Sequence, residues 1–226
     1  MASVFGASGL ITMILALKDG SLTQLGVFNL LIVFLVSSYL FFFENIILQN
    51  YTIATIFIIS GFTCYILQLK KNEGVEKNFS YRNFILFTLM SFFFAGSLLL
   101  HWYILKQEVP AILSVTIQEI VVFIIVFIIF KFQTSLALHQ IYHQTQKMLK
   151  PVAFMAVVIF LAIWTSFLGL QYTNPLISSL ISLITPILTI VFGVFLYKDQ
   201  WNYLTLLSLC LISVGVYLIN LEYLAQ

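Results

Sequence analysis

The chain has 226 residues, 62% of them hydrophobic and only 8% charged, where a water-soluble domain carries roughly a quarter charged. That composition excludes a soluble enzyme or binding domain. A formal charge of +2, with the basic residues spread over several short loops, excludes nucleic acid as a partner and leaves the lipid bilayer as the first one.

Apolar stretches lie at about 1–17, 22–43, 46–69, 84–105, 110–131, 151–171, 175–197 and 201–221. At ~1.5 Å per helical residue each comes close to or exceeds the ~30 Å of a bilayer core. The predicted fold class is therefore an all-α polytopic membrane protein of about eight transmembrane helices, an integral multi-pass protein of a cell membrane in a bacterium or of an endomembrane in a eukaryote. The opening stretch, MASVFGASGLITMILAL, lacks the positive n-region of a secretory signal and is read as a helix that stays. Its small residues Ala2, Ser3, Gly6, Ala7, Ser8 and Gly9 allow a close approach to a neighbour, either in the bundle centre or at the seam of a homo-oligomer.

The connections KDGS (18–21), EN (44–45), QYTN (171–174) and KDQ (198–200) are short, which predicts that consecutive helices are antiparallel neighbours. Two connections are longer. The polar segment KKNEGVEKNFSYRN (70–83) reads as a linker between a three-helix unit, 1–69, and a five-helix unit, 84–226, while KFQTSLALHQIYHQTQKMLK (131–150) mixes polar and apolar positions like a helix lying on the bilayer surface. Pro110, Pro151 and Pro175 stand where helices open. Pro186 stands mid-span and predicts a bend, with Thr185 beside it to satisfy the freed carbonyl. Cys64 and Cys210 fall in apolar spans and act as small hydrophobes.

Sliding the chain against itself by 154 residues brings Leu22 onto Leu176, Phe41 onto Phe195, Phe43 onto Tyr197, Ile58 onto Ile212 and Gly61 onto Gly215. The punctuation repeats as well: a polar turn, a long span, a charged break, then a span with a glycine near its end. The shift advances each helix by five spans, an odd number, so the related units would be inverted in the membrane. Inverted repeats place a solute site near the midplane, between the halves.

The stretch NPLISSLISLITPILTIVFGVFLYKDQWNYLTLLSLCLISVGVYLI (174–219) resembles the closing helices of an EamA-type repeat in the drug/metabolite transporter superfamily. It shares a small-residue entry, a mid-helix proline at Pro186, an aromatic-rich exit, a charged turn and a last helix ending in Gly215-Val216. Residues 17–67 are similar, with Glu44 where that turn usually carries an acid. The resemblance implies ten helices in two inverted five-helix units, so that the opening pair of the first unit would be absent here. It also departs from the pattern: Lys198 matches Glu44, and Ile32 rather than a proline matches Pro186.

Lys18, Lys70, Lys71, Lys77, Arg82, Lys131, Lys147, Lys150 and Lys198 fall on one side by alternation, and Lys106 alone on the other. The positive-inside rule then puts both termini outside. The resemblance implies the opposite.

Glu119 lies about nine residues inside its span, where a carboxylate must be neutral, face a wet cavity or find a partner. It is the candidate for a substrate amine or a coupling proton, with Gln118 as its hydrogen-bonding neighbour. Asn29, Ser182 and Thr185 are further mid-depth polar groups, and Trp164 and Tyr39 could line a cavity; polar glue and packing explain the same five residues. His101-Trp102-Tyr103 ends a span, where such rings belong to an interfacial belt. His139 and His143 share a helical face but lack a third ligand nearby. No metal, cofactor or soluble-enzyme chemistry is predicted. The expected function is movement of a small metabolite or drug-like solute by alternating access. The alternatives are a non-transporting assembly or scaffold subunit, or a truncated fragment without its own activity, with a membrane-embedded enzyme third.

Overall fold

The computed structural model describes residues 1–44, 51–72, 81–133, 149–173, 175, 178, 184–197 and 203–221. Among these, eight α-helices are present: α1 (Ala2–Leu17), α2 (Leu22–Phe43), α3 (Tyr51–Asn72), α4 (Tyr81–Lys106), α5 (Ala111–Gln133), α6 (Leu149–Tyr172), α7 (Ile184–Tyr197) and α8 (Tyr203–Leu221). Ser182, His139, His143, the 198–200 turn and most of the 131–150 surface segment lie outside the described residues.

Local chemistry sets several helix ends. Ser21 Oγ accepts from the Gln24 N–H at 3.1 Å while the Gln24 side chain accepts from the Ser21 N–H at 3.2 Å, a reciprocal capping box that starts α2. The Pro110 carbonyl accepts from the N–H groups of Leu113 and Ser114, so this proline caps α5 from just outside. Pro151 sits inside the first turn of α6, where an N–H has no helical partner to lose. α3 continues to Asn72 and α4 starts at Tyr81, because lysine, arginine and asparagine can carry a helix beyond its apolar stretch.

Four helices, α2, α4, α5 and α6, are long and apolar enough to cross a membrane. Their outward faces are as apolar as their inward ones: Phe123 on α5 is 69% exposed and Phe154 on α6 is 70% exposed. In water such faces would be covered or charged; in lipid they are at home.

Short turns do fold consecutive helices back on one another, but turn length does not choose the packing partners. α1 and α2 touch little, as do α4 and α5, whereas α1 packs along α4 and α5, α2 along α4 and α7, and α3 along α8. The expectation that consecutive helices are the neighbours fails for α1 with α2 and for α4 with α5, while α5 does pack on α6 and rings of α3 meet α2. A tight turn fixes direction only; in lipid, close van der Waals fit between small and large side chains selects the partner. Ala2, Ser3, Gly6, Ala7 and Gly9 are buried on α1. Gly9 lies against the Phe94 ring, and Gly96 lies against the Phe5 ring, a reciprocal fit between antiparallel helices.

α2 runs parallel to α4. Phe28 stacks on Phe87 with centroids 5.4 Å apart, and Ser91 Oγ donates to the Phe28 carbonyl at 2.7 Å. α3 returns antiparallel to α2, with Phe28 edge-on to Phe62 at 6.1 Å and Tyr51 stacked on Phe41 at 4.3 Å. The helices equated by the 154-residue shift, α2 with α7 and α3 with α8, are in each case packed on one another.

Candidate functional site

Two open clefts meet on α6. The first, of about 370 Å³, lies among α1, α4, α5 and α6 and is lined by Gly6, Phe94, Ser97, Leu98, His101, Gln118, Ala162, Ile163, Ser166 and Phe167. The second, of about 390 Å³, lies beside α6 and is lined by Ala162, Thr165, Ser166, Gly169, Thr173, Ser178 and Thr185. Ala162 and Ser166 line both, so the clefts adjoin along α6, the first reaching Gln118 and the second Thr185. The volumes fall at the lower end of the ~300–1,000 Å³ of small-molecule sites.

The backbone approach at Gly6 shapes the first cleft. A Cβ there would stand 3.2 Å from Ser97 Oγ and 3.7 Å from Gln118 Cδ, so any larger residue would push into the polar wall. His101 is buried, and its ring nitrogen Nδ1 lies 2.8 Å from the Ser97 carbonyl. A carbonyl only accepts, which assigns the proton to Nδ1 and leaves Nε2 as an acceptor. The imidazole rests against Phe167 at 4.6 Å. Ser97 Oγ donates to the Ala2 carbonyl at 3.2 Å and ties α4 to α1. Gln118 Oε1 and, one turn earlier on α5, Ser114 Oγ are buried without a hydrogen-bond partner. An unpaired acceptor in low dielectric is costly, and a bound donor relieves that cost.

Of the residues singled out from sequence, Gln118 lines the first cleft and Thr185 the second. Glu119 is half-buried and stands about 100° round α5 from Gln118, outside the lining of these two clefts. Trp164 packs partly buried against the core. Tyr39 and Asn29 lie half-buried on α2, and the Tyr39 hydroxyl is 3.3 Å from the Tyr103 hydroxyl. Tyr103 in turn donates to the Glu44 carboxylate. Pro186 lies in the first turn of α7, as its described residues begin.

The interfacial belt expected at His101-Trp102-Tyr103 is corrected by burial: His101 and Trp102 are enclosed, because α4 runs on to Lys106 and neighbouring helices cover it. Lys106 Nζ lies 3.7 Å above the Trp102 ring, a cation–π contact that holds the end of α4. The sequence reading passed over Ser97, His101, Thr165 and Ser166 as lining residues. Their signal was present as spacing: 94, 97, 98 and 101 on α4, and 162, 165, 166, 169 and 173 on α6, each recur on one helical face. Among the described residues, no group of three or more His, Cys, Asp or Glu is placed to hold a metal ion.

An all-α fold, with spans suited to a bilayer and apolar outward faces, defines a helical membrane protein. The sequence model of the EamA-like transporter family matches residues 82–221, more than half of the chain, and the protein belongs to that family. No curated protein matches the chain, and no solved structure does.

Proposed function

We propose that the protein is a multi-pass transporter that moves a small solute by alternating access, using the joined clefts on α6 as its solute path. The observation that carries this reading is the set of polar side chains, Gln118, Ser166 and Thr185 among them, that line two clefts adjoining on α6. A scaffold subunit would have no use for it. The inverted-repeat reading supports the same mechanism: α3 packs against α8 and α2 against α7, the pairings that a two-fold axis in the membrane plane would generate.

His101 lies five residues from Lys106, the end of α4 on the cation-poor side. The first cleft therefore lies in the half of the protein nearer that side, the non-cytoplasmic one under the positive-inside rule, and we propose that solute reaches it from there. Glu119, next to Gln118 on α5, is the acid available to carry a coupling proton.

The test is uptake of a broad metabolite mixture into proteoliposomes, read by mass spectrometry, for wild type and for Ser166→Trp, which fills the junction of the clefts. A solute that enters with wild type and not with the variant supports transport. If no solute enters in a Ser166-dependent manner, with or without a proton gradient, the scaffold reading replaces it. A gradient-stimulated uptake that Glu119→Gln makes gradient-independent assigns the coupling role.

A further inference from the structure

We propose that the joined clefts bind an uncharged, donor-rich solute in which a ring bearing an N–H or O–H group is attached to a polyhydroxyl part, as in a nucleoside or an aryl glycoside. This rests on the transport reading above and names the substrate class for the same site.

Among the described lining residues there is no Lys, Arg, Asp or Glu. His101, the ionisable side chain among them, commits its Nδ1–H to the Ser97 carbonyl. A carboxylate, phosphate or ammonium entering this path would lose its hydration and meet no counter-charge, a strongly unfavourable exchange in a low-dielectric site.

The hydrogen-bond polarity of the linings narrows the solute further. Gln118 Oε1 is buried without a donor. Thr165 Oγ1 lies 2.9 Å from both the Leu161 and Ala162 carbonyls, so its proton is committed to the backbone and its oxygen faces the cleft as an acceptor. At Gln118 Oε1 and Thr165 Oγ1 the linings thus ask the solute for donors. Hydroxyl groups and ring N–H groups supply them without charge.

The two clefts also differ in their surfaces. In the first cleft Phe94, Leu98, Ile163 and Phe167 form apolar walls around the Gln118 amide, a seat for a ring with one polar edge. The second cleft is walled mainly by hydroxyl side chains. A solute spanning both is apolar and flat at one end and polyhydroxylated at the other.

The experiment measures equilibrium binding of radiolabelled adenosine and phenyl β-glucoside to the full chain in lipid nanodiscs, with adenine, ribose, adenosine monophosphate and tyramine as competitors. Adenosine or the glucoside binds, each half-ligand competes at least tenfold more weakly, and the charged compounds compete at least tenfold more weakly. Gln118→Leu weakens binding at least tenfold. Thr165→Val, on an exposed face where folding is not at stake, weakens it several-fold. The proposal is overturned if neither labelled solute binds, if a charged competitor matches them, or if both variants bind like wild type. A Ser166-dependent uptake of a charged solute would leave transport standing and remove this proposal. Adenosine binding without any uptake would do the reverse.

Discussion

Gly61 and Gly215, 154 residues apart, take the same role from opposite sides of one helix contact. A Cβ on Gly61 would stand 2.6 Å from Ile212 Cγ1 and 2.8 Å from the Ser208 carbonyl oxygen; a Cβ on Gly215 would stand 2.6 Å from Ile58 Cγ1 and 2.7 Å from the Ala54 carbonyl oxygen. Ala54, Ile58 and Gly61 on α3 are each displaced by that same interval from Ser208, Ile212 and Gly215 on α8. The two helices therefore cross antiparallel about a local two-fold axis, and backbones come this close only because neither helix carries a side chain at the crossing.

Gly61→Ala and Gly215→Ala should each destabilise the protein by about 1–3 kcal/mol, the range for overpacking a close contact. The two should cost nearly the same, since the contacts are matched. Adding Ile212→Ala to Gly61→Ala should recover only part of the loss, because the Ser208 carbonyl remains in the way. Unfolding midpoints in mixed detergent micelles check this; unchanged midpoints would remove the crossing.

Ser91 joins α4 to α2 through its hydroxyl, which lies 2.7 Å from the Phe28 carbonyl and 3.0 Å from that of Phe87. Ser91→Ala keeps the packing and should cost about 0.6–1.5 kcal/mol, the usual worth of an interhelical hydrogen bond in a membrane. Ser91→Leu should cost several times more, because the site is fully buried. Equal losses for the two variants would show that the hydrogen bond, not the space, sets the helix distance.

At the far ends of α2 and α4, the Tyr103 hydroxyl donates to the Glu44 carboxylate and approaches the Tyr39 hydroxyl. Tyr103→Phe and Glu44→Gln should each destabilise by about 1–2 kcal/mol, and the double variant by less than their sum, as for groups sharing one hydrogen bond. A double-mutant cycle reads the coupling directly. Additive losses would mean that the two residues act separately.

Glu108 adopts φ 61° in the turn between α4 and α5, a left-handed conformation that costs a side chain roughly 1–2 kcal/mol. Glu108→Gly should raise stability by up to about 1 kcal/mol, part of the relief being offset by the freer unfolded chain. Glu108→Val, β-branched, should lower it. Paired thermal melts decide, and a stabilised valine variant would contradict the strain.

The clefts on α6 were half legible in the sequence. Gln118 and Thr185 stood out as polar groups deep in apolar spans, and each lines one of them. Serine and threonine on α6 did not stand out, because hydroxyls are common in membrane helices as local back-bonded groups. Thr165 does make such a bond. Glu119, the more conspicuous residue, lies one position round the helix from the one that faces the cleft. Which side of a helix faces inward cannot be read from α5, whose apolar residues run all the way round.

Membrane class, helical content and most helix bounds were fixed by composition, since 62% hydrophobic residues in spans of bilayer length leave only one backbone structure that satisfies every N–H and C=O locally. The same uniformity removed the signal for partner choice: when every face is apolar, no stripe points to the core. That choice was decided only in three dimensions. There Gly61 met Ile212 and Gly9 met Phe94, so the depth of contact between small and large side chains sorted helices that hydropathy could not tell apart.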